Sequence, residues 1–147
     1  MGKVLFTIGY EGLDPERLTA ALGNAGVGLL ADVRAVANSR KRGFSKGALK
    51  AGVEAAGLSY AHLRGLGTPK AGREAARGHD AALMRKIYCE AVLDTADSGL
   101  ALDDLARMAE AAPTCLLCFE RDPARCHRRV LAERLEARGF ATVDLFG

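Results

Sequence analysis

Short apolar runs alternate along this chain with longer segments of helical periodicity. The first run, Lys3–Ile8, ends in Gly9-Tyr10, and similar runs follow at Val27–Val33 and Leu58–Leu63. Each run is rich in β-forming residues and has the length of a buried strand. Such alternation is typical of a parallel sheet, because each return to a parallel neighbour needs a crossover helix.

Two later runs and the segments between them complete the predicted order of elements. Leu116 lies in an apolar run that predicts a fourth strand, and Phe140–Phe146 predicts a fifth. Asp14-Pro15 and Ser45 are typical helix starts. We expect the order β-α-β-α-β-α-α-β-α-β in one α/β domain over residues 1–147. The expected fold is a Rossmann-like, three-layer α/β/α sandwich with a mostly parallel five-stranded sheet.

The region before the fourth strand divides into two parts. Arg64–His79 is rich in glycine and basic residues, which predicts a mobile loop, either a lid over a site or a plain insertion. In Asp80–Ala96 the residues Leu83, Ile87 and Tyr88 recur at helical spacing. We expect these three side chains to face the core.

Composition narrows the classes of function. The net charge of +3 and the pI near 8.8 favour anionic partners such as phosphates or nucleic acid. The sequence shows no run of about 18 apolar residues and no secretory pattern at its start, so we expect a cytoplasmic protein without a membrane partner. Its four cysteines should then be free thiols. Walker A and GxGxxG motifs are absent, which disfavours the common nucleotide folds.

The densest chemistry lies in TCLLCFERDPARCHRR, Thr114–Arg129. Cys118 and Glu120 are two residues apart at a strand end and therefore share a face. Cys115 and Cys118 are three apart and face opposite ways, so they do not form the tight knuckle of a structural zinc site. We therefore expect no metal and no other cofactor.

Cys126 lies near the start of the following helix, beside His127 and Arg128. Positive charge and a helix amino end both favour a thiolate, so Cys126 is a candidate nucleophile or a poised structural thiol. The helix can begin at Pro123 or at Cys126, and the second choice places the thiol on the helix end itself. Glu120 fits either a general base or an ion-pair partner of Arg128.

The carboxyl ends of the strands are the expected ligand crevice of such a sheet. With the strand order 3-2-1-4-5, the winding direction would reverse between the first and fourth strands. The residues that would border this crevice are Gly9, Tyr10, Cys118 and Glu120. Asp32 and Arg34 end the second strand beside it, and Arg34 with Arg40 of the next loop could capture an anion.

With these residues the chain resembles the family called domain of unknown function 488, a group of uncharacterised bacterial and archaeal proteins. The fragments that carry the resemblance are Thr7-Ile8-Gly9-Tyr10, Asp32-Val33-Arg34, Ser39-Arg40 with Phe44, Leu66-Gly67, Cys118-x-Glu120 and Cys126-His127-Arg128. The resemblance implies an α/β fold and a shared polar site, and it supplies no reaction.

We therefore predict that the strand-end crevice binds or acts on a phosphate-bearing ligand, such as a nucleotide or nucleic acid. Cys126, Glu120 and Asp32 are the candidate catalytic residues. The candidate ligand-binding residues are Gly9, Tyr10, Arg34, Ser39, Arg40, Cys118, His127 and Arg128. Two alternatives remain, a non-catalytic module that binds nucleic acid or another anion, and a thiol redox protein that uses Cys118 and Cys126.

Overall fold

A computed structural model describes residues 3–147 of the chain. Within these residues, five strands alternate with six α-helices, which is the predicted alternation with one helix more than expected. The strands are β1 (Lys3–Gly9), β2 (Leu29–Asp32), β3 (Ser59–His62), β4 (Thr114–Cys118) and β5 (Phe140–Leu145). The helices are α1 (Pro15–Asn24), α2 (Lys46–Ala55), α3 (Lys70–Arg77), α4 (Ala81–Tyr88), α5 (Ala96–Ala111) and α6 (His127–Glu136).

The five strands form one all-parallel sheet in the order β3-β2-β4-β1-β5. The predicted parallel sheet is confirmed, but the order 3-2-1-4-5 is wrong. Instead, β4 lies between β1 and β2. Every residue of β4 is buried, as is typical of a strand at the centre of a parallel sheet. β1 and β4 remain neighbours, with Gly9 paired to Cys118.

Helices cover both faces of the sheet, which confirms the single α/β/α sandwich. One core cluster joins α1 and α2 to the sheet, and the other joins α3, α4, α5 and α6 to it. Alternate residues of β4 enter different clusters, with Leu117 on the α1 side and Leu116 on the other. None of the helices within residues 3–147 has both the length and the apolar character needed to span a bilayer.

The segment Arg64–His79 is not the predicted loop. It contains a 3-10 turn at Arg64–Leu66 and the helix α3. The buried side of α3 consists of small residues, namely Gly72, Ala75 and Ala76. These residues let the helix lie close to its neighbours, but they give no apolar periodicity in the sequence.

The helix predicted over Asp80–Ala96 is shorter than expected and has a different buried face. α4 ends at Tyr88 and continues as one π-helical turn, Cys89–Leu93, before α5 begins. Tyr88 is buried as predicted, whereas Leu83 is 45% exposed. Met84 occupies the core in its place, one residue further along the helix.

The last helix does not begin at Pro123. A 3-10 turn covers Pro123–Arg125, and Cys126 is the N-cap of α6. Asp122 caps the short turn by accepting a hydrogen bond from the peptide nitrogen of Ala124. The second of the two predicted helix starts is therefore the observed one, and it places the Cys126 thiol at the amino end of α6.

Candidate functional site

A cavity of about 350 Å³ lies at the carboxyl ends of three adjacent strands. Tyr10 follows β1, Arg34 follows β2, and Cys118 ends β4, and all three line the cavity. Glu120 follows Cys118 and lines it as well. The sheet thus brings together residues from three distant parts of the sequence, as the sequence predicts for this edge.

Arg34 is held in place by Asp32. Its Nε and Nη2 atoms donate to the two carboxylate oxygens of Asp32 at 2.8 and 2.7 Å. Its Nη1 donates to the carbonyl oxygen of Phe44 at 2.7 Å. Burial alone would lower the pKa of Arg34, but the hydrogen bonds and the charge of Asp32 outweigh it, and the pKa is raised. Arg34 is therefore a fixed cation.

Aromatic packing supports this arrangement. The ring of Tyr10 stacks on Phe44 with the centroids 4.5 Å apart, and the Tyr10 hydroxyl lies 3.4 Å from Arg34 Nη1. Tyr60 of β3 donates a further hydrogen bond to Asp32. The carboxylate of Asp32 is fully buried and already accepts from Arg34 and Tyr60. It therefore orients Arg34, and these hydrogen bonds occupy most of its acceptor sites.

The opposite wall of the cavity is formed by α3 and by a residue two positions before this helix. Thr68, Arg73 and Arg77 line this wall. Arg73 Nη1 donates to the carbonyl oxygen of Thr68 at 2.9 Å. The Thr68 hydroxyl is buried and makes no hydrogen bond to any residue among 3–147. Neither Arg73 nor Arg77 forms a salt bridge within that described part of the chain.

The two thiols of the motif meet at the edge of the cavity. The Sγ atoms of Cys118 and Cys126 are joined as a disulfide. The expectation of four free thiols therefore fails for this pair and holds for Cys89 and Cys115. Cys115 belongs to the core cluster on the α1 side, so Cys115 and Cys118 face opposite ways, as the sequence predicts. Cys118 lines the cavity, whereas Cys126 is not among the lining residues.

His127 is the first residue of α6 and lies buried against β2. Its Nε2 atom is 2.7 Å from the carbonyl oxygen of Val33, and its Nδ1 atom is 3.8 Å from Cys126 Sγ. Burial lowers the pKa of His127 to about 4, so the imidazole is neutral near pH 7. A carbonyl oxygen can only accept, which places the proton on Nε2.

Arg128 is completely buried and does not line the cavity. Its guanidinium donates to Cys118 Sγ at 3.1 Å and to the carbonyl oxygens of Glu120 and Arg121. The predicted pair between Arg128 and the Glu120 carboxylate does not form. Burial lowers the pKa of Arg128. This arginine fixes the turn between β4 and α6.

Glu120 extends from the same turn toward the cavity. Its Oε2 atom lies 3.7 Å from Cys118 Sγ. Burial raises the pKa of Glu120 above its ordinary value, and the nearby charge of Arg128 only partly opposes this effect. A half-buried carboxyl group with a raised pKa holds its proton more readily than an exposed one, which suits a general acid or base.

Ser39 and Arg40 lie on the loop after β2 and do not line the cavity. The Ser39 backbone donates to Ser45 Oγ, and the Ser39 hydroxyl accepts from the backbone of Lys41, so these contacts shape the loop. Arg40 is exposed. Gly9 lets the end of β1 lie against the turn after β4. A Cβ at this position would overlap the carbonyl group of Glu120.

The α3 wall contains none of the site residues that the sequence predicts. Thr68, Arg73 and Arg77 belong to the segment that was predicted to be a loop. The signal available in the sequence was the proline at position 69 followed by Lys70–Arg77, which lacks proline and has one glycine. Such a segment can begin a helix at the proline and run for two turns.

Comparison with known protein families gives one match. The family described as "Domain of unknown function DUF488" matches residues 14–135. This range includes Arg34, the α3 wall and the Cys118–Arg128 turn. Comparisons with curated proteins and with solved structures find no match.

Proposed function

We propose, for a chain that belongs to the DUF488 family, that the strand-end cavity binds a phosphate-bearing ligand. The observation that carries the proposal is the excess of arginine donors around the cavity. Arg34, Arg73 and Arg77 all line it, and Glu120 is the acidic residue that faces them. Guanidinium groups match the geometry of phosphate oxygens and bind them through charge-assisted hydrogen bonds.

The charges of the three arginines are compensated to different degrees. Asp32 neutralises Arg34 through a buried salt bridge. Arg73 and Arg77 have no such partner within residues 3–147, so their charge is available to a ligand. We therefore assign the main attraction for an anion to α3 and the orienting role to Arg34.

The Thr68 hydroxyl supports the same ligand class. A buried hydroxyl without a hydrogen-bond partner costs free energy, so such groups usually have a purpose. This one lines the cavity beside Arg73. A phosphate oxygen could accept from both groups at once.

If the chain is an enzyme, Glu120 and Cys118 are the residues that can reach the ligand. Glu120 would act as the general acid or base, and Cys118 as a thiol nucleophile when reduced. Asp32 and Cys126, the other predicted catalytic residues, would act through Arg34 and Cys118. Without turnover, the same cavity is a simple anion-binding module. We further propose a cytoplasmic location, where such ligands are abundant.

The test is calorimetric titration with inorganic phosphate and with a series of mononucleotides. Arg73→Ala and Arg77→Ala should each weaken binding by about 10-fold or more, because a hydrogen bond to a charged group contributes roughly 1.5–3 kcal/mol. Arg17→Ala is the matched control. It removes the same charge from an exposed position on α1, on the other face of the sheet.

Equal affinity for wild type and both α3 variants would overturn the assignment. Binding of oligonucleotides alone, with a steep loss of affinity as salt rises, would instead favour the nucleic-acid module. Phosphate release or transfer that disappears in Glu120→Gln while binding persists would identify an enzyme.

A thiol redox role is the second candidate, and the pairing of Cys118 with Cys126 favours it. Cys118 faces the cavity, so a small thiol could reach this sulfur first. After equilibration in glutathione buffers, mass spectrometry of alkylated peptides would measure the fraction of molecules in which Cys118 and Cys126 form the disulfide. A pair that stays reduced under mild oxidant would exclude this role.

A further inference from the structure

The strand end and the helix start bring three metal-binding side chains together at the wall of the cavity, which Cys118 and His127 line. Cys118, Cys126 and His127 each present one ligand atom, and these atoms lie within 4.8 Å of one another. All three residues are buried, and β4 and α6 fix their backbones. Cys115, whose position in the strand disfavours a zinc knuckle, lies on the other face of the sheet and is not needed for this cluster.

The imidazole is oriented as a metal ligand would be. Nε2 of His127 donates to the carbonyl oxygen of Val33, so Nδ1 has a free lone pair. Nδ1 is the atom that faces Cys126 Sγ, at 3.8 Å. Histidine ligands commonly donate their second nitrogen to a backbone carbonyl in this way, which fixes the ring for the metal.

Both sulfur atoms of the pair accept hydrogen bonds from Arg128. Cys126 Sγ accepts from the backbone nitrogen of Arg128 at 3.4 Å, and Cys118 Sγ accepts from its guanidinium at 3.1 Å. Arg128 has no carboxylate partner within residues 3–147. Two thiolates are the form in which cysteine binds zinc.

The backbone spacing also suits an ion between the sulfurs. The Cα atoms of Cys118 and Cys126 are 7.3 Å apart. Most disulfides span roughly 4.4–6.8 Å between Cα atoms, whereas two thiolates on one ion have two metal–sulfur bonds of about 2.3 Å between them.

We propose that the reduced chain binds Zn²⁺ through Cys118 Sγ, Cys126 Sγ and His127 Nδ1. Glu120 Oε2 lies 3.7 Å from Cys118 Sγ and can take the fourth position, or leave it open toward the cavity. A cellular dithiol supplies the two electrons and two protons that reduce the disulfide. Zinc binding then displaces the two thiol protons, and the ion holds both sulfurs as thiolates.

This zinc site is a proposal beyond the proposed anion binding, and each of the two proposals can be refuted without the other. The arginines of α3 can bind phosphate without an ion, and the ion can bind without a phosphate ligand. If both are present, an ion at Cys118 lies at the wall of the same cavity, where an open coordination position would accept an oxygen of the ligand.

The experiment is titration of the full chain, reduced and freed of metal by a chelator, with Co²⁺ and then Zn²⁺. Wild type should bind one equivalent of Co²⁺ with the absorption of thiolate-to-cobalt charge transfer, and Zn²⁺ should displace it. Cys118→Ser and Cys126→Ser should each lower the affinity by about 100-fold or more, since loss of an outer-shell contact alone costs 10–100-fold. Cys89→Ser is the control, because Cys89 is a half-buried thiol outside the cluster.

A measurement on unaltered protein protects the test against variants that do not fold. Zinc should slow alkylation of Cys118 and Cys126 relative to Cys89, as peptide mass spectrometry can show. A reduced wild type that binds no metal, or a metal that leaves both cysteines as reactive as before, would overturn the proposal. Absence of phosphate binding in both the metal-free and the zinc-loaded protein would instead refute the proposed function and leave the zinc site standing.

Discussion

Asp32 and Arg34 form a two-point salt bridge in which the carboxylate is completely buried. The residue between them, Val33, directs its carbonyl oxygen to His127 on the far side. One extended tripeptide thus orients the cavity arginine on one side and the imidazole of α6 on the other.

The first prediction concerns this salt bridge. Asp32→Asn should lower the free energy of unfolding by about 3 kcal/mol, because it leaves the buried Arg34 charge without a carboxylate. Urea denaturation measures the loss. The double variant Asp32→Leu/Arg34→Met should be more stable than Asp32→Asn, since it buries no unpaired charge. A loss below about 1 kcal/mol in Asp32→Asn would contradict the prediction.

The second prediction concerns pH. Burial, together with the hydrogen bond to Asp32, raises the pKa of Tyr60 above its ordinary value. A raised pKa in the folded state gives stability that is complete below about pH 10 and is lost as the pH rises further. Tyr60→Phe should cost about 1–2 kcal/mol at pH 7, and the cost should shrink in alkaline solution. Urea denaturation from about pH 7 to 11 measures the difference in free energy of unfolding between the two proteins. A difference that stays constant over this range would contradict the prediction.

The third prediction concerns the close approach of β1 to the turn after β4. Gly9→Ala should destabilise the fold by at least about 2 kcal/mol, because the new methyl group overlaps the carbonyl group of Glu120. Gly23→Ala is the control, since a Cβ at position 23 of α1 meets no atom within 4 Å. That control should be neutral or stabilising by up to about 1 kcal/mol. Thermal unfolding compares the two.

The fourth prediction concerns Arg128. Arg128→Lys should destabilise by roughly 2–4 kcal/mol, because one ammonium cannot reach Cys118 Sγ and both carbonyl oxygens that the guanidinium contacts. Arg129→Lys changes the neighbouring residue, whose salt bridges with Glu133 and Glu136 are partly exposed. Its cost should stay below about 1 kcal/mol. Equal losses in chemical denaturation would show that Arg128 has no special role.

The fifth prediction separates stability from binding. Thr68→Val replaces an unpartnered buried hydroxyl with a methyl group of similar size, so stability should be unchanged or higher. Phosphate affinity should nevertheless fall by about 5-fold or more, the value of one hydrogen bond of roughly 1 kcal/mol. Thr114→Val is the comparison, because the Thr114 hydroxyl donates to Ala112 and its loss should cost stability alone. The outcome against the prediction is a destabilised Thr68→Val with normal affinity.

The sequence predicts the strands well and the sheet order poorly. Apolar runs mark all five strands within a few residues, because buried strands need them. The position of β4 between β1 and β2 depends on contacts over more than 80 residues, such as that of Leu29 with Thr114. No local pattern records such a contact, so the order 3-2-1-4-5 could not be rejected from the sequence.

The sequence predicts the residues of the candidate site that follow strands, but not those that belong to α3. Arg34, Cys118 and Glu120 lie at or just after the ends of strands, and strand ends can be read from apolar runs. Arg73 and Arg77 come from a helix whose buried residues are glycine and alanine, and these carry little hydrophobic signal. Arg40 and Arg128 were predicted to bind the ligand, but one is exposed on a loop and the other is enclosed by the β4–α6 turn.

The central position of β4 also has a consequence for how the chain is made. β1 pairs with β4 and β5, and β2 pairs with β3 and β4, so β1 and β2 do not touch as strands. A nascent chain that ends before Thr114 contains a lone strand and a two-stranded fragment, neither of which makes a stable sheet. The sheet can close only after β4 has left the ribosome, and the cavity at its edge forms in the same step. Closure of this sheet is therefore delayed until all of its central strand has been synthesised.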